Sequence, residues 1–145
     1  MKYFLLLVFI SIQSPAWVQN KDKIPFVSIK RTVIKHVQSG EYEVTITISK
    51  DSLAGFAAFY ELFSEGGTFM AAAVKDAGAS FSVTEKGVKF VWGNLPSGKS
   101  VEVSYTIKGI SLTGADFPGH FKYIYDNEPR KLDLIRENVT YREVN

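Results

Sequence analysis

From residue 42 the chain alternates between apolar and polar positions. Tyr42, Val44, Ile46 and Ile48 fall on one side of an extended backbone; Glu43, Thr45, Thr47 and Ser49 fall on the other. Successive side chains of a strand point to opposite faces, so this period of two predicts a half-buried strand. Val101, Val103, Tyr105 and Ile107 repeat the pattern, as do Val88, Phe90 and Trp92, and then Phe121, Tyr123 and Tyr125. Residues 24–37 are rich in β-branched side chains (Val27, Ile29, Thr32, Val33, Ile34), which also predicts strand. Here the alternation is imperfect, because Arg31 and Lys35 share a parity with Val27 and Val33. A bulge or an edge position would produce that. Residues 53–63, LAGFAAFYELF, admit two readings. Helical spacing groups Leu53, Phe56, Ala57, Tyr60 and Phe63 in one stripe; an extended backbone makes both faces apolar, as in a central strand. Gly55 and the aromatic content favour the strand.

Turn-forming residues punctuate these runs. Gln38-Ser39-Gly40 and Glu85-Lys86-Gly87 each separate two strand patterns and read as hairpins. Asn94-Leu95-Pro96-Ser97-Gly98 and Asp126-Asn127-Glu128-Pro129 are further turns, and residues 109–119 form the longest loop. Residues 131–135 return as a strand, and Val139, Tyr141 and Val144 suggest a last edge strand in the tail. Eight or nine short strands at spacings of about ten residues, with no strong amphipathic helix, predict an all-β sandwich or barrel. Trp92 and Tyr105, on successive and hence neighbouring strands, are expected to pair in the core.

Residues 1–16, MKYFLLLVFISIQSPA, carry Lys2, then an apolar stretch from residue 3 to 12, then Ser14-Pro15-Ala16. That is the three-part pattern of a secretory signal peptide. It leaves a polar lead-in over residues 17–23 and one domain over residues 24–145. No second apolar run reaches the roughly 18 residues that a membrane span needs.

Composition narrows the chemistry. The 145 residues fit one core, and 46% apolar content is ample to build it. Lys and Arg total 17 against 15 acidic residues, so the basic footprint expected of a nucleic-acid binder is missing. The chain has no cysteine, which removes disulfides, zinc-thiolate sites and thiol nucleophiles together. An exported, cysteine-free β-protein points to the periplasm or cell surface of a Gram-negative bacterium.

Residues 88–109, VKFVWGNLPSGKSVEVSYTIKG, form a strand, a breaker turn and a strand, with Trp92, Leu95, Pro96, Gly98, Val101, Val103 and Tyr105 at its characteristic positions. This segment resembles the conserved-repeat, immunoglobulin-like modules of bacterial surface proteins. The resemblance covers about half of the domain and implies an antiparallel immunoglobulin-like β-sandwich of about seven to nine strands. It also implies a spacer, stalk or interaction role without catalysis. The chain departs from those repeats in standing alone and in carrying extra C-terminal strands.

Candidate catalytic groups do not converge. His36 and His120 are 84 positions apart, without the further ligands that a metal requires. No serine lies in a Gly-x-Ser-x-Gly or Ser-x-x-Lys motif. GNLPSGKS, residues 93–100, matches the letters of a phosphate-binding loop, but the segment after it reads as a strand where the mechanism needs a helix N-terminus. Glu61 with Glu65, or Asp126 with Glu128, would be carboxylate pairs for glycoside cleavage; they read instead as solvated charges on turns and edges. Asn138-Val139-Thr140 fits an N-glycosylation acceptor. Asp51-Ser52-Leu53 resembles an O-glycosylation acceptor of exported bacterial proteins.

Aromatic residues are the open question, at 2 Trp, 7 Tyr and 11 Phe. Most must fill the core, yet residues 53–63 have apolar positions to spare on a second face. Phe56, Phe59, Tyr60 and Phe63 are therefore the candidate partner-binding residues. The function these patterns favour is a non-catalytic interaction or structural protein of the bacterial cell envelope. It would offer a protein partner a sandwich edge, through residues 24–37 or the tail, or an apolar patch. A carbohydrate-binding module using exposed aromatics is the alternative, and a small hydrolase comes last. No catalytic residue, metal ligand or cofactor is assigned.

Overall fold

The computed structural model describes residues 24–63, 68–112 and 117–145. The leader at 1–16 and the lead-in at 17–23 lie outside the described residues, as do Glu65 and Gly66-Gly67. Among the described residues, ten strands run in order: β1 Val27–His36, β2 Glu41–Lys50, β3 Ala57–Leu62, β4 Met70–Lys75, β5 Ser80–Val83, β6 Gly87–Trp92, β7 Ser100–Lys108, β8 Gly119–Tyr125, β9 Glu128–Asp133 and β10 Val139–Val144. A single turn of 3-10 helix, Arg136–Asn138, precedes β10. Two five-stranded sheets result, in the orders β10-β1-β2-β7-β4 and β5-β6-β3-β8-β9. Their inner faces share one core.

The clean alternation in β2 does what it predicts. Tyr42, Val44, Ile46 and Ile48 are buried, and the residues between them are half-buried on the outer face. β7 repeats this with Val101, Val103, Tyr105 and Ile107, pairing Val44 with Tyr105 and Ile46 with Val103. The β1–β2 hairpin closes at Gly40, whose φ of 66° places it in the left-handed region. The β8–β9 hairpin turns on Asp126 and Asn127 with φ of 52° and 58°, the pair of positive values that a tight two-residue hairpin requires. The turn is thus shorter than the four residues expected, and Glu128 already lies in β9.

Several expectations need correction. β1 is neither bulged nor at an edge: its register with β2 is unbroken from Val27–Lys50 to His36–Glu41, and β10 covers its other side. Its imperfect alternation arises because Arg31 points into the core, where it is 1% exposed. The tail does form an edge strand, but β10 pairs with β1 in parallel, so the architecture is not wholly antiparallel. Trp92 and Tyr105 are both buried, but in opposite sheets; Phe90 lies between them, with ring centroids 6.4 Å and 6.3 Å away. β4, MAAAVK, carries no period-two signal, because an alanine-rich strand almost wholly exposed at a sheet edge has little side-chain contrast to display. The strand expected over residues 53–63 is confined to β3. It is central in its sheet, as apolar faces on both sides imply.

Candidate binding face

β3 fixes two different environments by parity alone. Ala57, Phe59 and Glu61 point inward; Ala58, Tyr60 and Leu62 point outward, and Phe56 continues the outward row. Phe59 is fully buried and Phe63 is 5% exposed, packed against Phe69 and Phe117. These two candidate partner-binding residues therefore belong to the core, and the set of four does not make one surface. Phe56 and Tyr60 remain on the outer face, at 49% exposed and half-buried respectively.

Inside, Glu61 is fully buried and meets charge from the opposite sheet. Arg31 Nε on β1 donates to Glu61 Oε1 at 2.6 Å, and the Tyr105 hydroxyl on β7 donates to Glu61 Oε2. Arg31 Nη1 donates to the Phe117 carbonyl at 2.9 Å, and the guanidinium lies 3.7 Å from the Phe117 ring centroid. Burial pushes the Glu61 carboxyl above its ordinary value, opposed by Arg31 and Tyr105. Burial and then the Glu61 charge push the Tyr105 hydroxyl well up. Arg31, Glu61 and Tyr105 are each at most 1% exposed, so the cluster ties the two sheets together through the core. The expectation that Glu61 is a solvated charge fails here. A signal for it was available: Arg31 and Glu61, of opposite sign, each interrupt an otherwise apolar stripe between apolar neighbours two positions away on either side.

Outside, the register of β3 with its neighbours assembles a face in rows. Tyr60 stands between Lys89 on β6 and His120 on β8, with Asp133 of β9 beyond His120. The Tyr60 and His120 rings stack at 4.9 Å with 13° between their planes. The Lys89 and Lys122 ammonium groups lie 5.2 Å and 5.3 Å from the Tyr60 centroid, within reach of its π-cloud. Partial burial, then Lys131 and Lys122, push the His120 pKa below its ordinary value. One row over, Ala58 lies between Val91 and Lys122. At the end of the face, Phe56, Tyr123, Ile124 and Pro129 line an open recess of about 310 Å³, rimmed by Lys122, Arg130 and Lys131.

A second groove, of about 780 Å³, opens at the far end of the first sheet between Phe26, Ser49, Lys50, Asp51, Ser52, Lys99 and Ser100. Two of its charged groups serve the backbone: Asp51 accepts from the Phe26 and Ser52 amides at 3.1 Å and 2.6 Å, and Lys50 donates to the Gly98 carbonyl at 2.9 Å. Those amide bonds hold Asp51 below the usual carboxylate range. Asp51 and Ser52 of the O-glycosylation-like motif are exposed, while its Leu53 is buried. Asn138 of the other acceptor is half-buried in the 3-10 turn. His36 approaches Glu43 at 3.8 Å on the opposite sheet from His120, so the structure does not bring the two histidines together. GNLPSGKS leads into strand β7, without a helix to receive a phosphate.

No family model matches the chain, and no curated protein matches it. Among solved structures it is similar to a GH20 exo-β-N-acetylglucosaminidase from Vibrio harveyi, both in complex with N-acetylglucosamine and as an inactive mutant. Each match has a TM-score of 0.50 and 9% identity over 82% of this chain. The chain spans only 18% of those enzymes' length, and at that identity the likeness is one of fold alone.

Proposed function

We propose that this protein is a non-catalytic interaction or structural module of the bacterial cell envelope, immunoglobulin-like in character, and that it presents the outer face of the β5-β6-β3-β8-β9 sheet to a protein partner. One observation carries the reading: exposed Phe56 and Ile124 share an apolar recess on a sheet face whose inner side is already filled by the core. Apolar side chains held in water by a rigid sheet are the usual anchor of an interface. The polar groups nearest them are cations on a rim, which suits recognition.

Cross-linked capture from the native envelope tests this, comparing wild type with Phe56→Asp and Ile124→Asp. Each variant should lose its dominant partner by a factor of about ten or more, as truncation of a central anchor does. Their melting temperatures should match wild type, because exposed positions contribute little to stability. Undiminished capture by both variants would remove the face from consideration. The carbohydrate reading has its own supporting observation in Phe26, 61% exposed beside the hydroxyls of Ser49, Ser52 and Ser100. Loss of polysaccharide binding in Phe26→Ala, with Phe56→Asp unaffected, would favour it.

A further inference from the structure

Charge is distributed unequally between the two outer faces. On the first sheet, Lys75 pairs with Glu102 at 3.0 Å, Lys108 with Glu41 at 4.0 Å and Lys35 with Glu143 at 3.1 Å. On the second, Lys131 takes Asp133 at 2.8 Å and Arg130 takes Glu128 at 3.5 Å. Lys89 and Lys122 differ from all of these. Among the described residues neither has a carboxylate within 4.0 Å; both ammonium groups are held over Tyr60 instead. A chain that is nearly neutral overall thus concentrates uncompensated positive charge at one aromatic site, with an apolar recess further along the same strand. Four residues separate Tyr60 from Phe56, or about 13 Å at roughly 3.3 Å per strand residue.

Resting on the binding face proposed above, we infer that its occupant is an extended, acidic segment of a partner protein. Carboxylates of the segment sit against Lys89 and Lys122, and an apolar side chain about four positions away fills the Phe56–Ile124–Pro129 recess. Tyr60, itself stacked on His120, already holds both ammonium groups over its ring, so less side-chain freedom is lost when a carboxylate arrives. A carboxylate also completes the kind of pairing that Lys35, Lys75, Lys108 and Lys131 already have. The recess distinguishes a peptide from a simple polyanion, which has nothing apolar to place there. An extended backbone matches the spacing between the two chemistries.

The test uses the full exported chain, ¹⁵N-labelled, and a synthetic peptide with a leucine and, four positions on, a pair of glutamates. Amide shift changes should cluster around Phe56, Tyr60, Lys89, His120, Lys122 and Ile124. Affinity should fall about tenfold or more for Lys89→Glu with Lys122→Glu, and for a peptide with glutamine in place of glutamate. Lys89→Gln with Lys122→Gln, which removes charge without reversing it, should show a smaller loss in the same direction. Raising the salt from about 50 to about 200 mM should weaken the complex. Equal binding of the glutamine peptide, or shifts that map to another surface, would overturn the inference. So would heparin or phosphatidylglycerol vesicles that bind as tightly as the peptide and ignore Phe56→Ser. If envelope capture depends on Phe56 but not on Lys89 and Lys122, the binding face stands and the acidic occupant falls.

Discussion

Replacing Glu61 by alanine should destabilise the protein by about 3–5 kcal/mol, the usual cost of stranding one partner of a buried ion pair. Arg31, on the opposite sheet and 1% exposed, would keep its charge in the core without the carboxylate that meets Nε at 2.6 Å. The Tyr105 hydroxyl would lose its acceptor in the same change. Urea or thermal unfolding measures the loss directly. Removing both charges should behave differently. Arg31→Met combined with Glu61→Leu should recover most of the lost stability, because apolar groups of similar volume avoid the cost of desolvating two ions. Equal damage from the single and double variants would show that packing volume, not charge, governs the site. The pH dependence follows from the direction of the shift. Burial raises the folded Glu61 carboxyl above its ordinary 4.5, so the native state holds this proton more tightly than the unfolded chain does. Its contribution to stability is therefore fullest below about pH 4.5 and declines as pH rises through the folded value. Glu61→Gln should lack that decline, so the stability difference, wild type minus variant, should fall as pH increases from about 4 to 7.

Gly87→Ala should be as damaging through a wholly different route. A methyl group at Gly87 would overlap the carbonyl oxygen of Glu61, the backbone atom of the strand it pairs with, and would stand 3.2 Å from the Leu62 Cα. Side chains relieve a clash by changing rotamer, but a backbone carbonyl moves only if β3 and β6 part. The substitution therefore pries open the hairpin end of the sheet beside the buried Arg31–Glu61–Tyr105 cluster. We expect a loss of about 3 kcal/mol or more, at the severe end for a single methyl group. Gly40→Ala is the useful control: nothing lies within 4 Å of the added carbon, and only the positive φ of 66° opposes it, so about 1 kcal/mol is expected. Similar melting temperatures for the two variants would mean that β3 and β6 separate more easily than their pairing implies.

Period-two alternation made β2, β6, β7 and β8 legible, because each has a wet face to contrast with the core. It failed at β4, which is exposed on both sides, and at β1, where a charge occupies a core position. The same ambiguity affected the candidate site. In β3 both faces are apolar, so aromatic content alone could not separate Phe59, which the core requires, from Tyr60, which the outer face carries. Parity would have separated them once the strand was fixed: Phe56 and Tyr60 share one side, and Phe59, Glu61 and Phe63 the other. Lys89, His120 and Lys122 were beyond reach for a different reason. They come from strands paired through long-range register, and no spacing within one segment reports a neighbour across a sheet. Phe56 and Tyr60 were found for their aromaticity; the cations around them are the product of topology.

The parallel pairing of β10 with β1 has a mechanical consequence. Their register runs from Arg31–Val139 to His36–Val144, so chain entering ahead of β1 and chain leaving after β10 depart from opposite ends of that ribbon. Tension applied between those two points pulls the strands along their length in opposing directions. All six register pairs, together with the Val37 amide bond to the Val144 carbonyl, then bear load at once instead of unzipping in turn. Under force spectroscopy, pulling at residues 26 and 145 should give a distinctly higher unfolding force than pulling that peels β10 from one end. A strand that looks like a late addition to the sheet would thereby act as the clasp that keeps the module closed under strain.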